Sequence, residues 1–237
     1  MTEEFEVTWE GELPASPREV WDAFTARTAG WLWDIDYEPR PGGTERGLTG
    51  GGGTVTVWEP HRRFVTRAVG DVNQLDYVLE PRGEATYLRF THRGALAGDY
   101  DLELDACRRH TAFYYHSLGE YLRHFPGRDA AYVSVQAPET SARDGFSAVR
   151  RALGVTADVA VGDRVRLEPA GTEGVVDYAT SEFLGVRGAD ALYRFYGRDR
   201  WNRPVGVAVH RFGGGADEAA RAWGAWLDDV FSTEAVA

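Results

Sequence analysis

Two histidines are the side chains of this sequence best suited to moving a proton at neutral pH. His92 stands at the end of a strand-like run, and His116 directly follows Tyr114 and Tyr115. Because the imidazole group titrates near neutrality, His92 and His116 are candidates for general acid or base catalysis, with the Tyr114 hydroxyl as a third. The sequence reveals no partner for either histidine, and structural or surface histidines are commoner than catalytic ones. We therefore predict no catalytic residue and retain Tyr114, His116 and His92 as candidates only.

Other kinds of chemistry lack their characteristic spacing in the sequence. No cluster of His, Asp and Glu has metal-ligand spacing, so we expect no metal, and nothing indicates a bound cofactor. Residues 50–53 are four glycines, but they lack the Lys-Ser/Thr ending of a phosphate-binding loop and indicate a hairpin or cavity-edge loop. Ser117 lies in helical sequence without a nucleophile elbow. The acids of residues 99–103 alternate as on the solvated face of a strand.

Composition excludes several classes of partner. A formal net charge of −11 argues against a nucleic-acid binder and against an anionic membrane surface. Cys107 is the only cysteine, which rules out an internal disulfide and a cysteine-based zinc site and predicts a reducing, cytoplasmic setting. No apolar run approaches the roughly 20 residues that span a bilayer. The oligomeric state is left open.

The first half of the sequence has the patterns of a strand, a helix, a meander and a long helix. Residues 5–12 alternate apolar and polar side chains, and Ser16 followed by Pro17 and Glu19 is typical of a helix start. Turn-forming residues separate four strand-like runs, at 54–58, 63–69, 75–80 and 85–93. Residues 105–125 have helical spacing. One stripe of this helix holds Ala106, Phe113, Tyr114, Ser117, Leu118, Tyr121, Leu122 and Phe125.

The sequence also repeats itself. Residues 16–21 are similar to 141–146, which lie 125 residues further on, and 118–122 are similar to 223–227, which lie 105 residues further on. The second copy would therefore be about 20 residues shorter than the first. This predicts two related domains, at 1–126 and 127–237, of which the second is reduced and lacks part of the region equivalent to 42–58. Strands of the second half are predicted at 132–136, 164–167, 175–180, 191–196 and 205–212, with helices near 143–153 and 219–230.

The order of these elements resembles the START/Bet v 1-like helix-grip superfamily, also called SRPBCC. Within it, the sequence is similar to the family of the C-terminal domain of the activator of Hsp90 ATPase. The similarity rests on residues 16–21, 41–43, 57–60, 62–64 and 86–92. It implies an α+β fold in which a curved antiparallel sheet wraps around a long C-terminal helix, here in two tandem copies with the second reduced. The alternative is one such domain with an unrelated α+β partner.

The resemblance also implies a cavity between the sheet and the long helix. Helix-grip folds often hold an apolar or aromatic ligand there, so the inner face of the helix is its expected lining. The predicted ligand-binding residues are Trp31, Trp33, Asp76, Tyr77, His110, Phe113, Tyr114, Ser117 and Tyr121. Any ligand site is expected in the first domain, because the second is expected to be closed by Trp223 and Trp226 as packing.

Three functions follow as hypotheses. The first, which we favour, is non-catalytic binding of a small apolar or aromatic molecule in the first-domain cavity. The second is an enzyme like the polyketide cyclases and aromatases of the same superfamily, which shapes a reactive substrate while Tyr114 or His116 assists proton transfer. The third is an interaction module with a chaperone or another protein partner, as the resemblance to the Hsp90 activators implies.

Overall fold

The chain forms two compact units. The computed structural model describes residues 2–69, 72–156 and 158–234. The first unit is Met1–Asp129 and the second is Ala130–Ala237. Within the described residues, no helix is both long enough and apolar enough to cross a membrane.

The first unit is a seven-stranded antiparallel sheet with a long helix packed on β1 and β7. Its elements in chain order are β1 (Glu3–Leu13), α1 (Pro17–Thr25), β2 (Asp36–Tyr37), β3 (Thr44–Arg46), β4 (Gly53–Glu59), β5 (Arg63–Ala68), β6 (Gln74–Arg82), β7 (Ala85–Leu96) and α2 (Tyr100–His124). The strand order is β1-β7-β6-β5-β4-β3-β2. The four predicted strands of the meander are confirmed as β4 to β7. The short strands β2 and β3 were not predicted, because the prolines and glycines of residues 39–43 lie between them.

Helix α1 begins as the sequence predicts. The Ser16 hydroxyl and the Glu19 backbone form a capping interaction, and the Glu19 carboxylate accepts a hydrogen bond from the Ser16 backbone N–H at 2.9 Å. Pro17 occupies the first helical position, where its missing N–H is not needed. The helix buries Val20, Trp21, Ala23 and Phe24 against the sheet side of the unit.

The interpretation of residues 99–103 as a strand face is wrong, because they begin α2. Asp99 is the N-cap and its carboxylate accepts a hydrogen bond from the Leu102 N–H at 3.2 Å. Asp101 and Glu103 lie in the first turn, where negative charge is favourable next to the unpaired N–H groups of a helix. The alternation of acids therefore reflects the start of the helix that carries the inner wall of the fold.

Aromatic packing joins the sheet to the helices of the first unit. Phe64, fully buried on β5, contacts the rings of Tyr37, Trp58 and Tyr77 with centroids 4.8, 5.4 and 5.5 Å away. Trp9 of β1 stacks on Tyr115 of α2 with a centroid distance of 4.6 Å. Such ring pairs stabilise the folded state by more than the burial of their apolar surface alone. The Trp9–Tyr115 stack holds α2 against β1, and the Phe64 contacts join neighbouring strands of the sheet.

The second unit has the same order of elements with one strand fewer. Its elements are β8 (Ala131–Gln136), α3 (Gly145–Ala152), β9 (Arg164–Leu167), β10 (Thr172–Ala179), β11 (Phe183–Arg187), β12 (Ala191–Tyr196), β13 (Gly206–Arg211) and α4 (Ala216–Glu234). The sheet order is β8-β13-β12-β11-β10-β9. In both units the first strand pairs with the last strand of a meander, and the closing helix packs on that pair. The predicted α+β architecture of two tandem helix-grip units is therefore confirmed.

The second unit lacks one strand, but not in the region equivalent to 42–58, where the sequence predicts the loss. Counted from the paired first and last strands outward, β9 to β13 correspond to β3 to β7, and β2 (Asp36–Tyr37) has no counterpart. The missing strand thus lies before residues 42–58, not within them. Strand β11 was not predicted, because its Gly185 weakens the strand pattern. A Cβ at Gly185 would collide with the carboxylate of Asp177, so the glycine makes room for a buried ion pair.

Candidate functional site

The first unit contains a cavity between β6, β7 and the inner face of α2. Its volume is about 180 Å³. The residues that line it are Trp31, Leu32, Trp33, Leu48, Thr49, Asn73, Leu75, Tyr77, Phe90, His92, Cys107, His110, Thr111, Tyr114 and Tyr115. Most of these side chains are aromatic or aliphatic, and the few polar groups stand among them, as is typical of small-molecule sites.

The periodicities of strand and helix place these side chains together. On β6 the inward residues Leu75 and Tyr77 alternate with Asp76, and on β7 Phe90 and His92 face the same side. His92 lies directly opposite Leu75 in the β6–β7 pairing. On α2 the lining residues Cys107, His110, Thr111, Tyr114 and Tyr115 are three or four positions apart, which puts them on one helix face.

A buried carboxylate, that of Glu45, positions two residues at the edge of the cavity, Leu48 and Thr49. Glu45 is 1% exposed, and its side chain accepts hydrogen bonds from the Leu48 N–H at 2.8 Å and from the Thr49 hydroxyl at 3.1 Å. A Cβ at Gly53 would collide with the same carboxylate, and Gly52 has a positive φ of 74°. The glycine-rich run therefore has a structural reason: it lets the loop close over Glu45 and positions Leu48 and Thr49 at the cavity edge.

Two buried tyrosines, Tyr77 and Tyr115, line the cavity, and Tyr37 is buried near them. Burial raises the pKa of Tyr77 and Tyr115, whose hydroxyl groups are hydrogen-bonded to each other, and burial likewise raises the pKa of Tyr37. The three phenols therefore stay protonated at neutral pH and act as neutral hydrogen-bonding groups. Tyr77 and Tyr115 therefore add no charge of their own to the cavity wall.

A chain of hydrogen bonds crosses one wall of the cavity. The Cys107 sulfur lies 3.5 Å from His92 Nδ1, and His92 Nε2 lies 2.5 Å from Asn73 Oδ1. Because Asn73 presents an oxygen, Nε2 carries the proton of the neutral ring and Nδ1 is left to accept from the thiol. The Phe5 ring packs edge-on against the imidazole, with the two centroids 4.9 Å apart.

Burial keeps both titratable groups of this hydrogen-bonded row, His92 and Cys107, neutral. It lowers the pKa of His92 from 6.5 to about 4, so the imidazole is neutral at pH 7 and carries one proton. Burial also raises the pKa of the Cys107 thiol, and a hydrogen bond from Thr111 and the nearby charge of Arg108 oppose this rise in part. The resting pair is therefore an uncharged thiol beside an uncharged imidazole.

Five of the nine predicted ligand-binding residues line the cavity: Trp31, Trp33, Tyr77, His110 and Tyr114. The candidate His92 also lines it. The indole N–H groups of the two tryptophans donate to backbone carbonyls, Trp31 to Ala23 at 3.0 Å and Trp33 to Gly47 at 2.7 Å. These bonds hold both rings in place as part of the wall.

The other four predicted residues lie outside the lining. Asp76 points away from it and pairs with Arg63 at 2.9 Å. Phe113 is fully buried in the core, and the Ser117 hydroxyl donates to its carbonyl at 2.9 Å. Tyr121 donates to the Arg128 carbonyl at 3.0 Å. His116 is likewise not among the lining residues.

The predicted stripe of α2 is rotated slightly from the face that lines the cavity. Cys107, Thr111 and Tyr115 were missed, although their spacing of four residues was visible in the sequence. Asn73 comes from the turn before β6, and its approach to His92 has no sequence signal. Within the part of the chain that the structure describes, no three His, Cys, Asp or Glu side chains are grouped so as to hold a metal ion.

Residues 14–123 match the family model described as "Activator of Hsp90 ATPase homolog 1-like protein". The match covers 110 of the 237 residues, all of them within the first unit. We call the first unit the activator-like domain. The match spans α1 to α2 and so includes every cavity-lining residue, and it confirms the resemblance found in the sequence.

Some of the solved structures similar to this chain match about half of it, and one matches nearly all of it. They include CalU16 from Micromonospora echinospora, with 19% identity over 52% of this chain and 86% of that one and a TM-score of 0.42. The Aha1 dimer from Colwellia psychrerythraea has 23% identity over 50% and 96% of the two chains and a TM-score of 0.41. DynU16, a protein of the dynemicin biosynthetic locus, has 18% identity over 98% of both chains and a TM-score of 0.44. No curated protein matched the chain in sequence.

Proposed function

We propose that the activator-like domain binds a small apolar or aromatic molecule in the cavity between β6, β7 and α2. The observation that carries this proposal is the cavity itself, about 180 Å³ in volume and walled largely by aromatic side chains. An apolar cavity of about 150 Å³ is large enough to hold benzene. The ligand that fits without rearrangement therefore has about one ring with a short substituent.

The walls supply affinity by burial, and the polar groups supply orientation. At about 25 cal/mol per Å², burying roughly 150–250 Å² of ligand surface contributes about 4–6 kcal/mol, which corresponds to a Kd between about 1 mM and tens of micromolar. Trp33 and Tyr114 already pack edge to face at 5.6 Å, and an aromatic ligand extends this arrangement. Asn73, His92 and Thr49 provide the hydrogen-bonding groups that fix its direction.

The proposal is tested by screening the full chain with uncharged one- and two-ring probes, such as 1-phenylpropan-1-one, indole and 2-naphthol. Binding stabilises the folded state by about 2.7 kcal/mol at a probe concentration of 100 times Kd, which a thermal-shift assay detects. Isothermal titration then gives the Kd. No stabilisation by any probe up to its solubility would refute the proposal.

A matched pair of variants shows whether the probe lies in this cavity. Leu48→Trp adds bulk to a half-buried residue of the cavity mouth, and we expect it to weaken probe binding at least about tenfold. Leu102→Trp makes the same change at a half-buried residue of α2 outside the lining and should leave the Kd within about twofold. Equal affinities for the two variants would place the probe elsewhere.

Two further functions are distinguished by added measurements. A cyclase- or aromatase-like reaction would use the same cavity, and chromatography of the bound molecule after incubation would reveal a changed product. The family is named for activators of the Hsp90 ATPase, which supports a protein partner as the other candidate. Titration of a purified Hsp90 with the full chain, with ATPase rate as readout, tests it directly.

A further inference from the structure

The cavity wall contains a thiol, a base and an orienting amide in one line. Cys107 Sγ is 3.5 Å from His92 Nδ1, and the opposite ring nitrogen is 2.5 Å from Asn73 Oδ1. The three residues come from α2, β7 and the turn before β6, and all three line the cavity. A nucleophile, a base within hydrogen-bond reach and a third group that orients the base form the general arrangement of an activated nucleophile.

We infer that Cys107 and His92 capture an electrophilic ligand of the cavity covalently, and that the ligand class is a small aromatic α,β-unsaturated ketone. The inference rests on the proposed function, since it concerns a ligand bound in the same cavity. It assigns the reacting atom to Cys107 Sγ, the base to His92 Nδ1 and the positioning of that base to Asn73.

The chemistry is a conjugate addition in which all atoms of the ligand are retained. The thiol S–H bond breaks and its proton passes to His92 Nδ1, while the sulfur electron pair forms a bond to the β-carbon of the alkene. The carbon–carbon π bond breaks and its electrons move onto the α-carbon and the carbonyl oxygen. His92 then returns the proton to the α-carbon, so no oxidant, reductant or leaving group is required.

The surroundings favour this reaction over others open to a thiol. Burial holds the thiol and the imidazole neutral at rest and disfavours a separated thiolate–imidazolium pair, so the proton passes to Nδ1 as the sulfur–carbon bond forms and not before it. The soft, polarizable sulfur matches the soft β-carbon of an enone. Acyl transfer would also need water to enter a cavity with largely aromatic walls before the thioester could be cleaved.

Asn73 fixes the tautomer on which the step depends. With Nε2–H donating to Asn73 Oδ1, the lone pair of Nδ1 faces the sulfur. Without that acceptor the ring is free to carry its proton on Nδ1, where it cannot accept the thiol proton. The Phe5 ring packs edge-on against the imidazole at a centroid distance of 4.9 Å and so limits rotation of the His92 side chain.

The experiment uses two ketones of the same shape with the full chain. Phenyl vinyl ketone carries the activated alkene, and 1-phenylpropan-1-one is its saturated counterpart. Cys107 is the only cysteine in the sequence, so an adduct that intact-protein mass spectrometry detects in wild type and not in Cys107→Ala lies on this residue. We expect addition of the full mass of phenyl vinyl ketone, with a rate that saturates with ketone concentration and is slowed by the saturated ketone. Cys107→Ala should bind the saturated ketone and form no adduct.

Variants of the base and its orienting group separate activation from simple exposure of the thiol. His92→Gln should slow adduct formation at saturation by about 10²-fold. His124→Gln, which changes an exposed histidine at the end of α2, should leave the rate within about twofold. Asn73→Ala should slow the reaction about tenfold, and Asn73→Asp, which keeps an acceptor for Nε2–H, should restore it.

The outcomes distinguish this inference from the binding function beneath it. If 1-phenylpropan-1-one binds and phenyl vinyl ketone forms no adduct, the covalent step is refuted and binding stands. An adduct that forms without saturation, or at an unchanged rate in both His92→Gln and Asn73→Ala, shows only an accessible thiol and also refutes it. If neither ketone binds, the proposed function and this inference both fail.

Discussion

Replacing His92 with glutamine should make the activator-like domain less sensitive to acid. The imidazole lies in the cavity wall between Asn73 and Cys107, and burial lowers its pKa from 6.5 to about 4. The unfolded chain therefore binds a proton at this residue below about pH 6.5, whereas the folded domain does so only near about pH 4. The stability tied to His92 is complete above pH 6.5 and is lost as the pH falls through this interval. A glutamine side chain at the same position has no such titration.

The magnitude follows from the difference between the two pKa values. Integrating proton binding from 6.5 to about 4 gives a loss of about 2 kcal/mol between about pH 8 and pH 5, and about 3 kcal/mol by pH 4. Cys107 does not contribute over this range, because burial raises its pKa and it stays a neutral thiol. Carboxylates elsewhere titrate in wild type and variant alike, so the difference between the two proteins isolates His92.

Urea unfolding of the full chain at several pH values between 5 and 8 measures this effect. Wild type should lose about 2 kcal/mol more than His92→Gln on acidification. NMR titration of the His92 ring in the folded protein gives the pKa directly. Equal acid sensitivity of wild type and His92→Gln, or a folded pKa near 6.5, would refute the reasoning that burial keeps this imidazole neutral.

Three other substitutions probe the frame around the cavity and the second unit. Gly30→Ala should cost about 1–3 kcal/mol in urea unfolding, because its Cβ would lie 2.7 and 2.8 Å from ring carbons of the buried Tyr121; an unchanged midpoint would contradict this. Asp177→Ala should cost about 3–5 kcal/mol in thermal unfolding, because it leaves the guanidinium of Arg194, now 3.0 Å away, buried without its carboxylate. The double variant Asp177→Leu/Arg194→Met should recover part of that loss. Ser16→Ala should cost about 1 kcal/mol through loss of the α1 cap, and Ser16→Asp should restore it.

The sequence predicted most of the fold because its long elements carry clear periods. These patterns are long enough to distinguish a strand from a helix. They are the alternation in β1, the four runs of the meander and the helical spacing in α2. Short elements were missed: β2 and β3 have two and three residues, and β11 contains Gly185. The repeat was informative about topology and less so about local detail. Ser16 caps α1, whereas its counterpart Ser141 is fully buried and accepts from the Val205 N–H at 3.1 Å.

The candidate site was predicted in part, and the reason is geometric. A helical stripe about 100° wide includes both the face toward the cavity and the face toward the core, so Tyr114 and Phe113 look equivalent in sequence. Only the angle at which α2 crosses the sheet decides between them. Cys107 was considered for disulfides and zinc, but its partner His92 is 15 residues away and on another element. Such a contact depends on strand register and is not encoded in local spacing.

The long helices of the two units present different side chains to their sheets. In the activator-like domain, the space beside α2 is bordered by Cys107, Thr111 and Tyr114, and a cavity remains. In the second unit, Trp223 of α4 is 1% exposed and packs on Tyr193 and Phe195, with centroid distances of 5.8 and 5.5 Å. In the repeat, Trp223 is the counterpart of Leu118 of α2, and both side chains are buried in the core of their own unit. Filling contributes stability through burial, whereas an unfilled cavity costs stability that a bound ligand restores. The burial of Trp223 agrees with its expected role as packing, and the assignment of any ligand to the first domain stays a prediction.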